Sequence, residues 1–243
     1  MSVASPARTS LEHRAVDLRE LMDDPDCDPV RLAATLRRFD TVNRLVSGWG
    51  RVYRTRVAPL LRGRDRPARV LDLGCGGGDL LARLASSAAR DGLEAEWLGI
   101  DPDERAIDVA RTREEPGLGF RVADAETLVA AGDAFDLVVS NHVLHHLDDG
   151  ARDSFAAASL ALARGTVLHA DIERGRTAYA LYAVGITPLA SGTFLRTDGL
   201  RSIRRSYRAD ELADALGSTW TVVRPAPFRL LAVAQGLVGD GDA

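Results

Sequence analysis

The chain has 243 residues, 46% of them apolar and 27% charged, with a formal net charge of -4 and a pI near 5.8. That is enough apolar material for one proper core within the size of a single decorated α/β domain, and the acidic balance disfavours nucleic acid and anionic membrane surfaces as partners. Two cysteines make no disulfide framework, no window reaches the length of a membrane span, and the N-terminus lacks an apolar leader, so the cytoplasm is the expected compartment. All 31 basic residues are arginine. The missing lysine excludes Schiff-base chemistry, a P-loop lysine and a Tyr-x-x-x-Lys dehydrogenase pair.

In chain order, residues 1–10 are small and polar and read as a frayed end. Residues 11–22 have the spacing of a short amphipathic helix, closed by the turn-forming "DDPDCDP". Residues 30–46 repeat the helical pattern, with Leu32, Leu36, Phe39, Val42 and Val46 near one face. Gly48 and Gly50 interrupt it before "RVYRTRVAPLL" resumes as helix toward the linker "RGRDRPA". From Arg69 short apolar runs alternate with amphipathic ones, the pattern of a parallel sheet with helices on both faces. Strands are expected near 70–73, 96–100, 119–122, 135–140, 167–170, 219–224 and 228–234, and helices over 80–89, 104–113, 149–163 and 209–216. Residues 176–206 form a longer mixed segment. Only "PAP" separates the last two strands, too short for a parallel crossover, so they form an antiparallel hairpin. The expected division is an N-terminal helical cap over 1–66 and a core over 67–243 carrying the insert 176–206.

The first strand runs into Gly74, Gly76, Gly77 and Gly78 and then a helix. Glycine there lets the backbone take positive φ and approach a ligand closely, while the helix N-terminus directs its N–H groups at that ligand. One glycine suffices for a tight turn, so four point to a cofactor. A dinucleotide fingerprint counted from Gly74 places its third glycine at Asp79, where an acid opposes a pyrophosphate but suits an ammonium or sulfonium group.

"VLDLGCGGG" resembles motif I of the class I S-adenosylmethionine (SAM) dependent methyltransferases. "LGIDPDERAIDVAR", "VADAETL" and "FDLVVSNHVLHHL" resemble the motifs at the ends of that family's second, third and fourth strands, and the similarity runs from about Arg69 to Ala234. "RRFDTVNRLVSGWGRVYR" is loosely similar to the helices preceding the core in quinone-biosynthesis methyltransferases. The resemblance implies a Rossmann-like, seven-stranded, mostly parallel α/β sheet with an antiparallel C-terminal hairpin and an N-terminal helical cap. It implies SAM as cofactor and S-adenosylhomocysteine (SAH) as product. Asp72, Gly74, Cys75, Gly76 and Gly78 then form the cofactor turn, with Asp72 holding the glycines and approaching the ammonium. Asp101 with Pro102 meets the ribose, against the alternative that Asp101 only caps the next helix. Asp124 and Ala125 lie on the adenine side, unless Asp124 merely caps the turn 125–128, and Ser140 and Asn141 lie beside the methionine moiety.

The implied reaction is displacement at a sulfonium methyl, in which the protein supplies alignment, desolvation and, for oxygen or carbon acceptors, proton removal. His142 and His145 are the general-base candidates, with His146 read as a packing and capping residue. No metal ligands are assigned. The segment after the fourth strand lacks the Pro-Pro-aromatic motif of amino-methylating DNA enzymes and the paired glutamates of protein arginine methyltransferases, and neither cysteine follows a proline. The expected acceptor is a small aromatic, quinone-like or polyketide-like metabolite. Asn43, Trp49 and Tyr53 are expected to cover the cofactor, and Tyr179, Tyr182, Phe194 and Tyr207 to wall the acceptor site. Arg201, Arg204, Arg205 and Arg208 make a basic cluster that reads as a solvated helix face, with a seat for an acidic substrate group as the alternative. A non-catalytic SAM- or SAH-binding regulator and an NAD-linked oxidoreductase stay open as alternatives, and nothing in the sequence sets the oligomeric state.

Overall fold

The computed structural model describes residues 10–237, so the expected frayed end lies outside the described residues but for Ser10, as does the side chain of Val46. Seven strands form one sheet: β1 (Ala68–Leu73), β2 (Ala95–Asp101), β3 (Leu118–Val122), β4 (Phe135–Asn141), β5 (Ala163–Ile172), β6 (Thr221–Ala226) and β7 (Arg229–Gln235). Their order is β3-β2-β1-β4-β5-β7-β6, parallel from β3 to β5, with β7 antiparallel to both β5 and β6. The expected Rossmann-like plan with an antiparallel C-terminal hairpin is the plan observed.

Successive strand residues point to opposite faces, and the two cores follow that period. Val70, Leu137, Val139 and Leu168 bury on one face against α4 (Asp79–Arg90) and α5 (Glu104–Arg111). Leu71, Val138, Val167 and Leu230 bury on the other, against α6 (Ala125–Ala130), α7 (Asp149–Leu162) and α10 (Ala209–Leu216). The short α6 was expected only as a capped turn. Among the described residues no helix is long and apolar enough to cross a membrane.

The N-terminal region departs most from expectation. Residues 11–22 form no helix; they run as an irregular strap along α9 (Leu195–Arg205). Tertiary partners take the backbone groups that a helix would pair internally. Ala15 N–H donates to Arg204 O at 2.9 Å, and Leu21 and Met22 N–H donate to the Asp198 carboxylate at 2.8 and 3.0 Å. The buried Arg174 donates to the carbonyls of Leu11 and Glu12 at 3.1 Å each.

Helix α1 (Pro29–Val46) is the one the periodicity predicts: Asp28 caps it, accepting from Val30 and Arg31 N–H, and Pro29 opens it. Its Leu32 and Leu36 bury against Phe194 and Val109. After it, α2 (Trp49–Val52) passes through a π-helical turn (Tyr53–Val57) into α3 (Ala58–Leu61). The widening has a local cause. Pro59 has no N–H to donate and crowds the carbonyl four residues back, and Ala58 N–H reaches Tyr53 O, five residues back, instead. Trp49, Val52, Val57 and Leu61 share their hydrophobic cluster with Val70 and Leu81 of β1 and α4. The segment 176–206 folds as α8 (Arg176–Gly185), a short 3-10 turn (Thr187–Leu189) and α9.

Candidate active site

The strand order reverses between the parallel neighbours β1 and β4, and the crevice beyond their carboxyl ends is where open α/β sheets hold ligands. There Gly74 and Cys75 N–H both donate to Ile100 O at 2.9 Å, and Gly78 N–H closes the turn on Cys75 O at 2.9 Å. Gly74 has φ 71°, and a Cβ on it would stand 2.7 Å from Val143 Cγ2, so the turns after β1 and β4 touch. Gly78 has φ 74°, with a Cβ position 2.6 Å from the Phe120 ring. Only glycine fits at either place.

This crevice opens into a cavity of about 860 Å³. At one end lie Asp72, Gly74, Cys75, Gly76, Asp101 and Pro102. Asp72 is 1% exposed, and its Oδ1 has no hydrogen-bond partner. Burial, and then the nearby Asp79 and Asp101 carboxylates, push its carboxyl well above the usual range. The Asp101 carboxylate accepts from Gly76 N–H and Asp103 N–H, each at 2.9 Å, so each oxygen keeps a second lone pair. Burial raises its pKa despite those two bonds. Asp79, buried in the first turn of α4, accepts from Asn43 Nδ2 at 3.0 Å, which ties α1 over the turn. Burial raises this carboxyl too, against the Asn43 bond. Three clustered carboxylates, one with an orphaned oxygen, make a seat for a cation-bearing ligand with hydroxyl donors.

The rest of the expected cofactor set divides. Asn141 lines the cavity, its Oδ1 accepting from Trp49 Nε1 at 3.0 Å. Ser140 does not: its hydroxyl turns into the interior and donates to His169 Nδ1 at 2.8 Å, while His169 Nε2 donates to Ser159 Oγ at 2.9 Å. Burial drives the His169 pKa down to about 3, which keeps the ring neutral in that chain. Gly78 packs against Phe120 rather than on the cavity. Asp124 sits exposed at the N-cap of α6, accepting from Thr127 N–H at 2.8 Å and Thr127 Oγ1 at 2.6 Å, and neither it nor Ala125 lines the cavity. The alternative weighed for Asp124, a capping role, is the one its contacts fit.

At the other end the strap brings in Glu20, 4% exposed, whose Oε1 receives Ser202 Oγ at 2.7 Å. His145 is 1% exposed; its N–H donates to Asp171 Oδ2 at 3.0 Å and its Nδ1 lies 2.6 Å from Asp171 Oδ1. Its Nε2 is 3.3 Å from Glu20 Oε1, without the alignment of a hydrogen bond. Burial opposes protonation of this ring, but the charges of Asp171 and Glu20 outweigh it and lift the pKa to about 9. The two carboxylates thus favour the protonated ring. His142 differs. Its φ is 63°, and its Nε2 accepts from Arg229 Nη1 at 2.8 Å. Burial and then the Arg229 charge push its pKa far down, so the ring is neutral with its Nε2 lone pair engaged.

Residues 70–165 match the model of a methyltransferase domain family. Over 157 residues the chain is 32% identical to the ubiquinone biosynthesis O-methyltransferase of Sinorhizobium medicae (strain WSM419), covering 60% of this chain and 58% of that protein. Over these residues the chain is similar to methyltransferase domains. The like-named protein of Methylobacterium sp. (strain 4-46) is 39% identical over 121 residues, 48% of this chain and 45% of that one. The chain thus spans less than two thirds of the length of these curated relatives. The chain also superposes on the plantazolicin methyltransferase BpumL, in complex with a monoazolic desmethylPZN analog and SAH, with TM-score 0.58 at 14% identity, over 86% of this chain and 95% of that one. The magnesium protoporphyrin IX methyltransferase of Synechocystis PCC 6803 with bound SAM gives 0.51 at 17% identity, over 88% and 99%. Likeness at these identities is likeness of fold.

Sequence reasoning missed Glu20, Asp23, Asp171 and the site role of Arg205. Arg205 was placed on a solvated face, yet it is buried and clamps the 3-10 turn Leu144–His146 by donating to His145 O at 3.1 Å and His146 O at 2.9 Å. Arg201 and Arg208 instead hold the strap, at Arg19 O and Leu11 O. Of the expected covering aromatics, Tyr182 lines the cavity, while Trp49, Tyr53, Phe194 and Tyr207 are core and Tyr179 borders a separate surface hollow. The one available signal was Asp171, an acid at the carboxyl end of the strand beside β4.

Proposed function

We propose that the chain is a cytoplasmic SAM-dependent methyltransferase acting on oxygen or carbon of a small aromatic, quinone-like or polyketide-like acceptor. The observation that carries this reading is the buried, unpartnered Asp72 Oδ1 beside Asp101, at the turn that opens into the cavity. An ammonium satisfies the orphaned oxygen, and the spare lone pairs on Asp101 suit the two hydroxyls of a ribose. Bound SAM supplies a methyl group activated on a sulfonium; the chain's residues supply position and dryness. Gly74 and Gly76 let the backbone approach the ligand, and Asn141, held by Trp49, borders the same space.

The acceptor takes the remaining volume. Leu32, Leu36, Phe39, Leu181 and Ile186 give it apolar walls, and Glu20, His145 and His146 form the polar floor that orients an oxygen-bearing acceptor. The cap expected over 1–66 and the insert 176–206 supply most of those walls, which supports reading them as the acceptor-binding part. His142, neutral and held by Arg229, positions the turn after β4 rather than taking a proton.

Calorimetric titration with SAM, SAH and NADH, followed by a labelled-methyl screen over phenols, quinones and polyketides, tests the reading. Binding of the adenosyl pair with transfer to one acceptor class is expected. Binding without transfer turns the reading into that of a non-catalytic binder, and NADH binding alone overturns it.

A further inference from the structure

Beyond the cofactor seat, one cluster in the cavity is built in a way that acceptor orientation does not require. His145 Nε2 and His146 Nε2 stand 3.3 and 3.8 Å from the same atom, Glu20 Oε1, and one ligand atom from each of the three residues lies within 4.8 Å of the others. In each ring the opposite nitrogen is fixed by a carboxylate: His145 Nδ1 by Asp171 at 2.6 Å, His146 Nδ1 by Asp23 at 3.1 Å. Two imidazoles with carboxylates behind them and their outer nitrogens turned to a shared glutamate is the arrangement that metal-binding histidines adopt.

We propose that Glu20, His145 and His146 form a binding site for a divalent cation of the zinc class, open to the cavity.

The distances suit such an ion. With metal–ligand bonds of about 2.0–2.1 Å, neighbouring ligand atoms of a tetrahedral centre stand about 3.3 Å apart. The 3.3 Å separation meets that figure, and the 3.8 Å one closes with a small movement of His146, whose side chain is 27% exposed. His145 Nε2 is buried with no hydrogen-bond partner, and a cation takes the place of its proton. The charges agree as well. Glu20, Asp23 and Asp171 bring three carboxylates to the two rings, with Arg205 3.6 Å from Asp23, and a cation displaces the proton that His145 otherwise carries. Three protein ligands leave a coordination position facing the cavity, as in sites that bind a substrate oxygen and polarise it. Nitrogen ligands and a single carboxylate favour zinc, cobalt or nickel over magnesium or calcium.

The proposal deepens the methyltransferase reading in assigning the acceptor's oxygen a metal partner, but its test does not need methyl transfer. Chelator-stripped full-length protein is titrated with Zn²⁺ against a chromophoric competitor, and SAH affinity is measured on the same preparations. One cation per chain is expected, with the absorption of four-coordinate cobalt when Co²⁺ replaces zinc. Glu20→Gln and His146→Ala should each weaken zinc binding by about 100-fold or more, and Asp23→Asn by about tenfold, in the range of lost orienting partners. His146→Ala, at the more exposed position, decides if Glu20→Gln does not fold. Absence of stoichiometric zinc binding, or equal zinc affinity in wild type and a folded His146→Ala, overturns the site and leaves the cluster as an ion pair. SAH binding without zinc binding defeats this inference alone; zinc binding without SAH binding defeats the methyltransferase reading alone.

Discussion

The two ends of the cavity are made in opposite ways. The cofactor end comes from one continuous turn, residues 72–79, with a single distant carboxylate, Asp101, at the tip of the adjacent strand. The acceptor end is assembled from Glu20 on a strap, His145 and His146 on the turn after β4, Asp171 at the end of β5 and Ser202 on α9. A local turn imposes its geometry through backbone φ and sterics. A dispersed cluster depends on every element that brings a member to it, so the first end should fail as a fold when altered and the second should loosen piece by piece.

The largest effect is expected at the turn. Gly78→Ala forces a Cβ to within 2.6 Å of the Phe120 ring at a positive φ, and should lower stability by about 2–4 kcal/mol in chemical denaturation. A loss below about 0.5 kcal/mol would show that the turn has slack, and the contrast between the two ends would weaken. Next comes Asp101→Ala. Losing two charge-assisted hydrogen bonds should reduce SAH affinity by about 10- to 100-fold in calorimetry, and an unchanged affinity sinks the ribose assignment.

The same contrast explains what was legible in the sequence. All seven strands were, because parallel strands buried on both faces read as short apolar runs, and "PAP" forces a hairpin by length alone. The glycine turn was legible because its cause is local. Residues 11–22 were misread because their apolar spacing is real, while the groups that outcompete a helix, Asp198, Arg174 and Arg204, lie more than a hundred residues away. Ser140 was misplaced for a related reason: it sits at the expected strand end, but the partner that turns it inward, His169, belongs to the neighbouring strand. Glu20 carries no local sign of function at all. Its role exists only once Ser202 and His145 close around it.

A third prediction uses the orphaned carboxylate at the cofactor end. Asp72 has a raised pKa in the unliganded protein through burial and two neighbouring carboxylates, and a bound ammonium favours the ionised form. Binding therefore lowers that pKa and expels a proton wherever Asp72 is protonated beforehand. SAH affinity should fall as pH drops through the raised pKa, by at most about tenfold per pH unit from this one group. Calorimetry in buffers of different ionisation enthalpy should register the released proton, and Asp72→Asn should abolish the release. A release that survives in Asp72→Asn assigns the proton to another group.

The smallest effect is expected where the strap is pinned. Asp198 receives the N–H groups of Leu21 and Met22, the two residues after Glu20, beside three other ties of this part of the strap to α9, Ser202 on Glu20, Arg201 on Arg19 O and Arg205 on Asp23. Asp198→Ala leaves two donors to find water, at a cost of about 1–2 kcal/mol, and the strap can open without unfolding the sheet. Local opening of that size exposes Arg14 and Arg19 to trypsin about tenfold more often, and limited proteolysis reads it directly. Because the turn 72–79 makes no bond to Asp198, SAH affinity should stay within about twofold of wild type while zinc affinity at Glu20 drops. If SAH affinity falls together with protease resistance, the two ends are one cooperative unit, and the strap closes over the cofactor as well as the acceptor.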